Sequence, residues 1–198
     1  MKSTASGQKP PRERILDTAS ELFYQKGIQN VGVDEIVARS GVAKMSLYKH
    51  FQSKDLLVAE VLRHRSENWW RYFAAAVERY GTTPHMRLVA IFDALEEWFD
   101  SPDFRGCAFI NATVELANSE HPGHQVVLEH QHLVYQYILK LAQEAEVPEP
   151  ESVARQLLLL AEGAIVIALM EGNSKSAQQA RVAAKALLSR GSLANTQR

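Results

Sequence analysis

The segment VDEIVARSGVAKMSLYKHFQSK, residues 33–54, reads as a short helix, a tight turn on Gly41 and a second short helix. The second helix is studded with Lys44, Ser46, Tyr48, Lys49 and His50, and no acidic residue occurs between Glu35 and Asp55. Ile36 and Val37 fall on the inward side of the first helix, with Gly32 at its cap and Glu35 placed to fold back on the first-turn amides, half of a capping box. Gly41 then ends that helix in a left-handed conformation that a side chain would penalise. Val42 and Leu47 pin the second helix onto the first, Phe51 closes the small core, and Lys44, Ser46, Lys49 and His50 remain on the outer side. A compact helix–turn–helix with a basic, polar second helix fits the major groove of DNA.

Working back from this segment, Ile15, Leu16, Ala19, Leu22 and Phe23 share one face of a preceding helix that opens at Pro10–Pro11 and stops at Gly27. Residues 1–9 are polar and read as disordered. Working forward, Lys54 opens a long amphipathic helix ending at Gly81, and Pro84 starts another that stops at Asp100-Ser101-Pro102. Further helices are expected over 105–118, 125–146, 151–171 and 176–190, divided by His121-Pro122-Gly123, by Pro148 and Pro150, and by Gly172-Asn173. No period-two alternation suggests strands. The expected fold is all-α with about nine helices: a DNA-binding domain over 10–54 and a helical ligand-binding and dimerisation domain over 55–198.

Charge supports this division. Residues 1–54 carry nine Lys/Arg against five Asp/Glu, while the remainder carries thirteen against eighteen, an asymmetry hidden in the formal net charge of −1. A basic head on an acidic body suits one end to a polyanion. The 198 residues, 46% apolar and 23% charged, are ordinary for a soluble protein. Cys107, the lone cysteine, excludes an internal disulfide and fits a reducing cytoplasm. The N-terminus lacks a signal-peptide core, and the longest apolar run, broken by Glu162, falls short of the roughly 18–20 residues that span a bilayer. A cytoplasmic protein without membrane association is expected. The Gly-rich phosphate loop is missing, and no cofactor is expected.

Several pieces in the head occur together, in order and without a gap: Glu21-Leu22-Phe23, Asp34-Glu35-Ile36, Gly41-Val42, Leu47-Tyr48-x-His50-Phe51 and Ser53-Lys54-x-x-Leu57. Over roughly residues 12–62 the chain thereby resembles the DNA-binding domain of TetR/AcrR-family transcriptional regulators. The resemblance implies a three-helix DNA-binding head and a body that binds a small molecule and dimerises. It places Lys44, Met45, Ser46 and Lys49 nearest the base edges, and Tyr48, His50 and Lys54 on the DNA backbone, with the Lys54 amide at a helix N-terminus suited to a phosphate. Two positions depart from the family pattern. Ala43 stands where a capping Ser is common, and Met45 stands where Gly is common, putting a flexible apolar side chain near the groove where a thymine methyl can be touched.

In the body, residues 157–170 (LLLLAEGAIVIALM) are apolar nearly all round, which requires burial on every side. Ala161, Gly163, Ala164 and Ala168 leave room for another backbone. Ala177, Ala180, Ala184, Leu187 and Leu188 form a second stripe on the last helix. The resemblance implies a homodimer through the helices at 151–171 and 176–190, whose two heads, about 34–36 Å apart, read a near-palindromic operator in double-stranded DNA.

Aromatic pairs, among them Trp69-Trp70 and Trp98-Phe99, are expected to surround the helix over 105–118, where Cys107, Asn111 and Glu115 repeat every four residues on one face. Trp69, Phe73, Phe92, Cys107, Asn111, Glu115 and Tyr135 are the candidate contacts to an unknown effector. The leading functional reading is a repressor released from its operator by that effector. The alternative is a redox- or electrophile-sensing repressor switched through Cys107, placed in the first helical turn beside Arg105 where a thiolate is favoured. His121, His124, His130 and His132, with Glu120 and Glu129, do not match a zinc-ligand spacing and read as solvated surface, so no metal site is expected. Nor is an enzyme, since no histidine adjoins Cys107 to act as its base.

Overall fold

The computed structural model describes residues 9–194; the segment read as disordered lies, up to residue 8, outside the described residues. Nine helices and no strand occur among the described residues: α1 (Pro11–Lys26), α2 (Val33–Ser40), α3 (Lys44–Phe51), α4 (Lys54–Tyr80), α5 (Pro84–Phe99), α6 (Ala108–Leu116), α7 (Pro122–Glu144), α8 (Pro150–Glu171) and α9 (Lys175–Ala194). By packing, the chain divides into a first unit of residues 1–66 with 108–127, and a second of 67–107 with 128–198. Helices α4 and α7 each contribute residues to both.

In the first unit the expected apolar face of α1 is buried, with Ile15, Ala19 and Leu22 wholly inaccessible. Ile36 of α2 and Leu47 of α3 meet it, and Val31, Val42 and Phe51 complete the core. Val37 is only half-buried; Ser40 is buried instead. Gly41 adopts the left-handed conformation (φ 63°, ψ 30°), and a Cβ there would stand 2.8 Å from Arg14 Nη2. Arg14 donates to the carbonyls of Ser40 (2.5 Å) and Gly41 (3.0 Å), so a cation on α1 satisfies the end of α2. The capping box does not form: Gly32 caps α2 without a side chain, and Glu35 pairs with Lys26 at 2.6 Å. A glycine cap offers no hydroxyl to reciprocate, which leaves the glutamate to a nearby ammonium. Helix α4 starts on Ser53, whose hydroxyl accepts from Leu56 N at 3.1 Å.

In the second unit α5, α8 and α9 pack together. The small residues Ala161, Ala164 and Ala168 of α8 and Ala177, Ala180 and Ala184 of α9 are buried there, and Ser176 Oγ donates to the Ala164 carbonyl at 2.7 Å. These stripes, expected to face another subunit, are consumed inside the chain. Small residues allow α8 and α9 to approach closely, and that close approach excludes any third backbone from the same face. The opposite side of α8 is open: Leu159 is 68% exposed and Met170 80%, with Val166, Ile167, Leu169 and, on α9, Val182 also exposed. By length and composition α8 is apolar enough to cross a bilayer, contrary to the sequence expectation, although part of it is buried on its neighbours.

Helices α6, α7 and α9 differ from expectation in their bounds. Helix α6 is shorter than 105–118 because Gly106 (φ 77°) and Ala117 (φ 44°) turn the chain at either end. Helix α7 begins at Pro122, not after it, since proline suits a first turn and His121 Nδ1 accepts from Gly123 N at 2.9 Å. Helix α9 runs on past residue 190 to Ala194.

Leu47 has no exposed surface whereas Met45, two residues earlier, is 81% exposed. Leu47→Ala should therefore lower stability by about 3 kcal/mol, and Met45→Ala by less than about 0.5 kcal/mol, compared by urea unfolding.

Candidate nucleic-acid interface

Helix α3 is eight residues long, and its burial is divided sharply. Leu47 and Phe51 anchor it, while Lys44, Met45, Tyr48, Lys49 and His50 are exposed and Ser46 is half-exposed. Six of the eight side chains are thus spread along one accessible surface held by two apolar pins. Ala43 caps the helix in an extended conformation with no side-chain hydrogen bond, so no hydroxyl competes for the first-turn amides. Tyr48 stands outside the core. His50 lies edge-on to Phe51, with ring centroids 6.3 Å apart.

Two lysines are more engaged than sequence reasoning suggests. Lys54 Nζ donates to the Ile28 carbonyl at 2.8 Å and lies 6.0 Å from the Phe23 ring centre, tying the start of α4 to the α1–α2 loop. Lys44 Nζ sits 2.7 Å from Asp34 Oδ1 in the first turn of α2, and that contact raises the lysine pKa, first by hydrogen bonding and then by charge attraction. The pairing of Asp34 with Lys44 is not legible in the sequence, because nothing in helical periodicity links positions ten residues apart across a turn.

The candidate effector contacts are distributed over both units. In the first, Asn111 and Glu115 of α6 line a small, partly open cleft with Phe23, Tyr24, Ile28 and Arg65. Glu115 is bound to the α1–α2 loop. Its carboxylate accepts from Gln29 N (3.1 Å) and its carbonyl from Gln29 Nε2 (3.2 Å). A Cβ on Gly27 (φ 88°) would come within 3.0 Å of the same carboxylate. Glu115, on the expected polar face of α6, therefore finds its partner in the α1–α2 loop. Arg65, also unforeseen, lies 3.9 Å above the Tyr24 ring and donates to Ser20 Oγ at 3.1 Å, locking α4 to α1.

In the second unit Trp69 stacks on Phe73 (4.4 Å) and meets Trp98 (6.1 Å) and His130 (5.2 Å) edge-on. Phe92 is fully buried, and Tyr135 lies under the Arg155 guanidinium at 4.9 Å. Cys107 is half-buried in the residue before α6, not in its first turn, because the positive φ of Gly106 delays the helix to Ala108. Two histidines read as solvated surface are covered instead. His130 is buried, and burial lowers its pKa to about 4. His121 Nε2 faces Asp55 Oδ1 at 3.4 Å. Helical spacing places His130 on the same side of α7 as Val126 and Val127, both buried, which could have signalled this.

With this geometry in place, comparison with known proteins is informative. The family model of bacterial regulatory proteins of the TetR family matches residues 15–61, and that of the tetracyclin repressor-like C-terminal domain matches 84–184. The HTH-type transcriptional regulator YjdC of Escherichia coli is 28% identical over 156 residues, covering 78% of this chain and 81% of YjdC. The HTH-type transcriptional repressor DhaR of a Mycobacterium species is 30% identical over 108 residues, 54% of this chain and 53% of DhaR. Among solved structures, SCO4454, a TetR-family transcriptional regulator from Streptomyces coelicolor, superposes with a TM-score of 0.84 at 27% identity, covering 92% of this chain and 96% of SCO4454.

Glu115→Ala should speed amide exchange at Gln29 and cost about 1 kcal/mol, whereas Glu115→Gln, which retains an acceptor, should lie between it and the parent. His130 carries a pH signature. Below its ordinary pKa of 6.5 the unfolded chain takes up a proton that the folded chain refuses until about pH 4. Stability contributed by the neutral imidazole is therefore present above 6.5 and lost as pH falls through that window, by at most about 3 kcal/mol. Urea unfolding between pH 7 and 5 should show a smaller decline for His130→Phe.

Proposed function

Because the chain belongs to the TetR family of bacterial regulatory proteins, we propose that it is a homodimeric repressor whose α3 helices read a near-palindromic operator and which a small-molecule effector releases. The observation that carries this reading is the division of α3, with Leu47 and Phe51 buried and Lys44, Met45, Tyr48, Lys49 and His50 held outward. A short helix pinned on one side and polar on the other can enter the major groove without disturbing its own core. Lys44, Met45, Ser46 and Lys49 face the base edges, and Tyr48, His50 and the first-turn amide of Lys54 take the sugar–phosphate backbone. The Lys54 ammonium is committed to Ile28, so that residue serves through its amide and through head stability. Functionally, residues 10–54 form the DNA reader and 55–198 the part that binds effector and dimerises, in the cytoplasm where the chromosome is reached. The repressor sense is supported by DhaR, which is named a repressor.

Dimerisation uses the open side of α8 with the adjoining exposed side of α9. Leu159, Gly163, Val166, Ile167, Met170 and Val182 make a contiguous run of apolar or small residues of the kind that marks an interface. Two-fold pairing on this surface presents one α3 per half-site, as a palindrome requires.

The effector lodges among the aromatic side chains of the larger unit, with Trp69, Phe73, Phe92, Tyr135 and the adjoining Cys107 as its candidate wall. Release requires that the effector prefer a conformation whose α3 spacing no longer matches the operator. Helix α4 carries residues of both units, and α6 grips the α1–α2 loop through Glu115 and Asn111 lines the cleft beside it. Movement of either helix is therefore felt by the DNA reader.

Selection of bound duplexes from a random pool tests the reading. Two inverted half-sites about 10 base pairs apart, centre to centre, are expected; recovery of no common motif would refute it. Ile167→Glu should convert the dimer to monomer in sedimentation and abolish operator binding while leaving the helical content unchanged. A variant that still sediments as a dimer would exclude this surface.

A further inference from the structure

The DNA-reading surface contains an anion. Asp34, on the first turn of α2, places its carboxylate 2.7 Å from the ammonium of Lys44, the first residue of α3, and both side chains are largely exposed, 82% and 53%. Elsewhere in the head, ion pairs join elements around the core: Lys26 with Glu35, Arg39 with Glu21, Arg12 with Glu60. The Lys44–Asp34 pair differs in involving the leading residue of the exposed helix. A lysine free to swing toward the nearest phosphate would release a counterion and add affinity for any sequence. A lysine held by a neighbouring carboxylate has little net charge to offer the backbone.

We propose that Asp34 is a specificity-determining positioning residue, which holds Lys44 over the base edges and withholds its charge from the phosphates. This deepens the DNA-reading function proposed above and rests on it. Lysine recognises a base by donating to guanine O6 or N7, and a carboxylate beside it can accept from a cytosine amino group. The Asp34–Lys44 pair thus offers one donor and one acceptor to the groove at nearly zero net charge. Such a pair discriminates among bases while contributing little to sequence-independent binding. The pair sits in exposed positions where solvent screens its attraction, so its effect is to be sought in DNA binding and not in folding stability.

The first turn of α2 favours a negative charge only modestly, so Asp34→Asn weakens the helix slightly without unfolding it. Its helical content and unfolding midpoint are compared with the parent before DNA is added. Binding of the full-length protein to its selected duplex and to a random duplex of the same length is then followed by fluorescence anisotropy over a salt series. Asp34→Asn should tighten binding to the random duplex several-fold, narrow the selected-to-random ratio, and steepen the dependence of log K on log salt by about one per subunit. In a Lys44→Ala background the same substitution should leave the slope unchanged, because no lysine is there to be freed. An unaltered slope in Asp34→Asn, or an equal change with and without Lys44, overturns the proposal. If the unsubstituted protein itself fails to separate the two duplexes, the DNA-reading function falls with it, and that outcome is visible before any variant is measured.

Discussion

Burial of Leu47 is the contact on which the rest of the protein's action depends. An eight-residue helix has little stability of its own in water, since the cost of nucleation is spread over few hydrogen bonds. Helix α3 persists because Leu47 and Phe51 are driven into a core made by Ile15, Leu22, Val31 and Ile36. The same two pins leave every other side chain of the helix on the accessible side. The helix is thus held by one face and leaves the other to solvent, and rotating it would expose Leu47 and Phe51.

Around that core, short-range devices hold the turn between α2 and α3. Gly41 supplies the left-handed backbone, and Arg14 reaches from α1 to satisfy the carbonyls at the end of α2. Lys54 binds the Ile28 carbonyl, and Glu115, 86 residues away in sequence, binds the amide of Gln29. The α1–α2 loop is therefore held from two sides, by the helix that leaves the head and by one that returns to it.

The larger unit solves a different problem. Its aromatic side chains stack upon one another, and the small residues of α8 and α9 bring those helices into close contact. What remains is an apolar side of α8 in contact with solvent, the surface proposed above for a second copy.

Much of this architecture is legible in the residues alone. The apolar spacing of α1, the glycine that ends α2, the proline starts of α1 and α5 and the pattern around Leu47-Tyr48-x-His50-Phe51 each act locally, through backbone conformation or a single helix face. Local rules of that kind can be read from a linear string, and they sufficed for the all-α fold and the family. The tertiary structure alone decided which partner each polar group takes: Asp34 for Lys44, Ile28 for Lys54, the α1–α2 loop for Glu115, and a buried aromatic setting for His130. It also decided which side of α8 is spent within the chain. Such choices depend on distances between helices whose separation in sequence carries no periodic signal, so charge and hydrophobicity specify that a partner is needed without specifying where it stands.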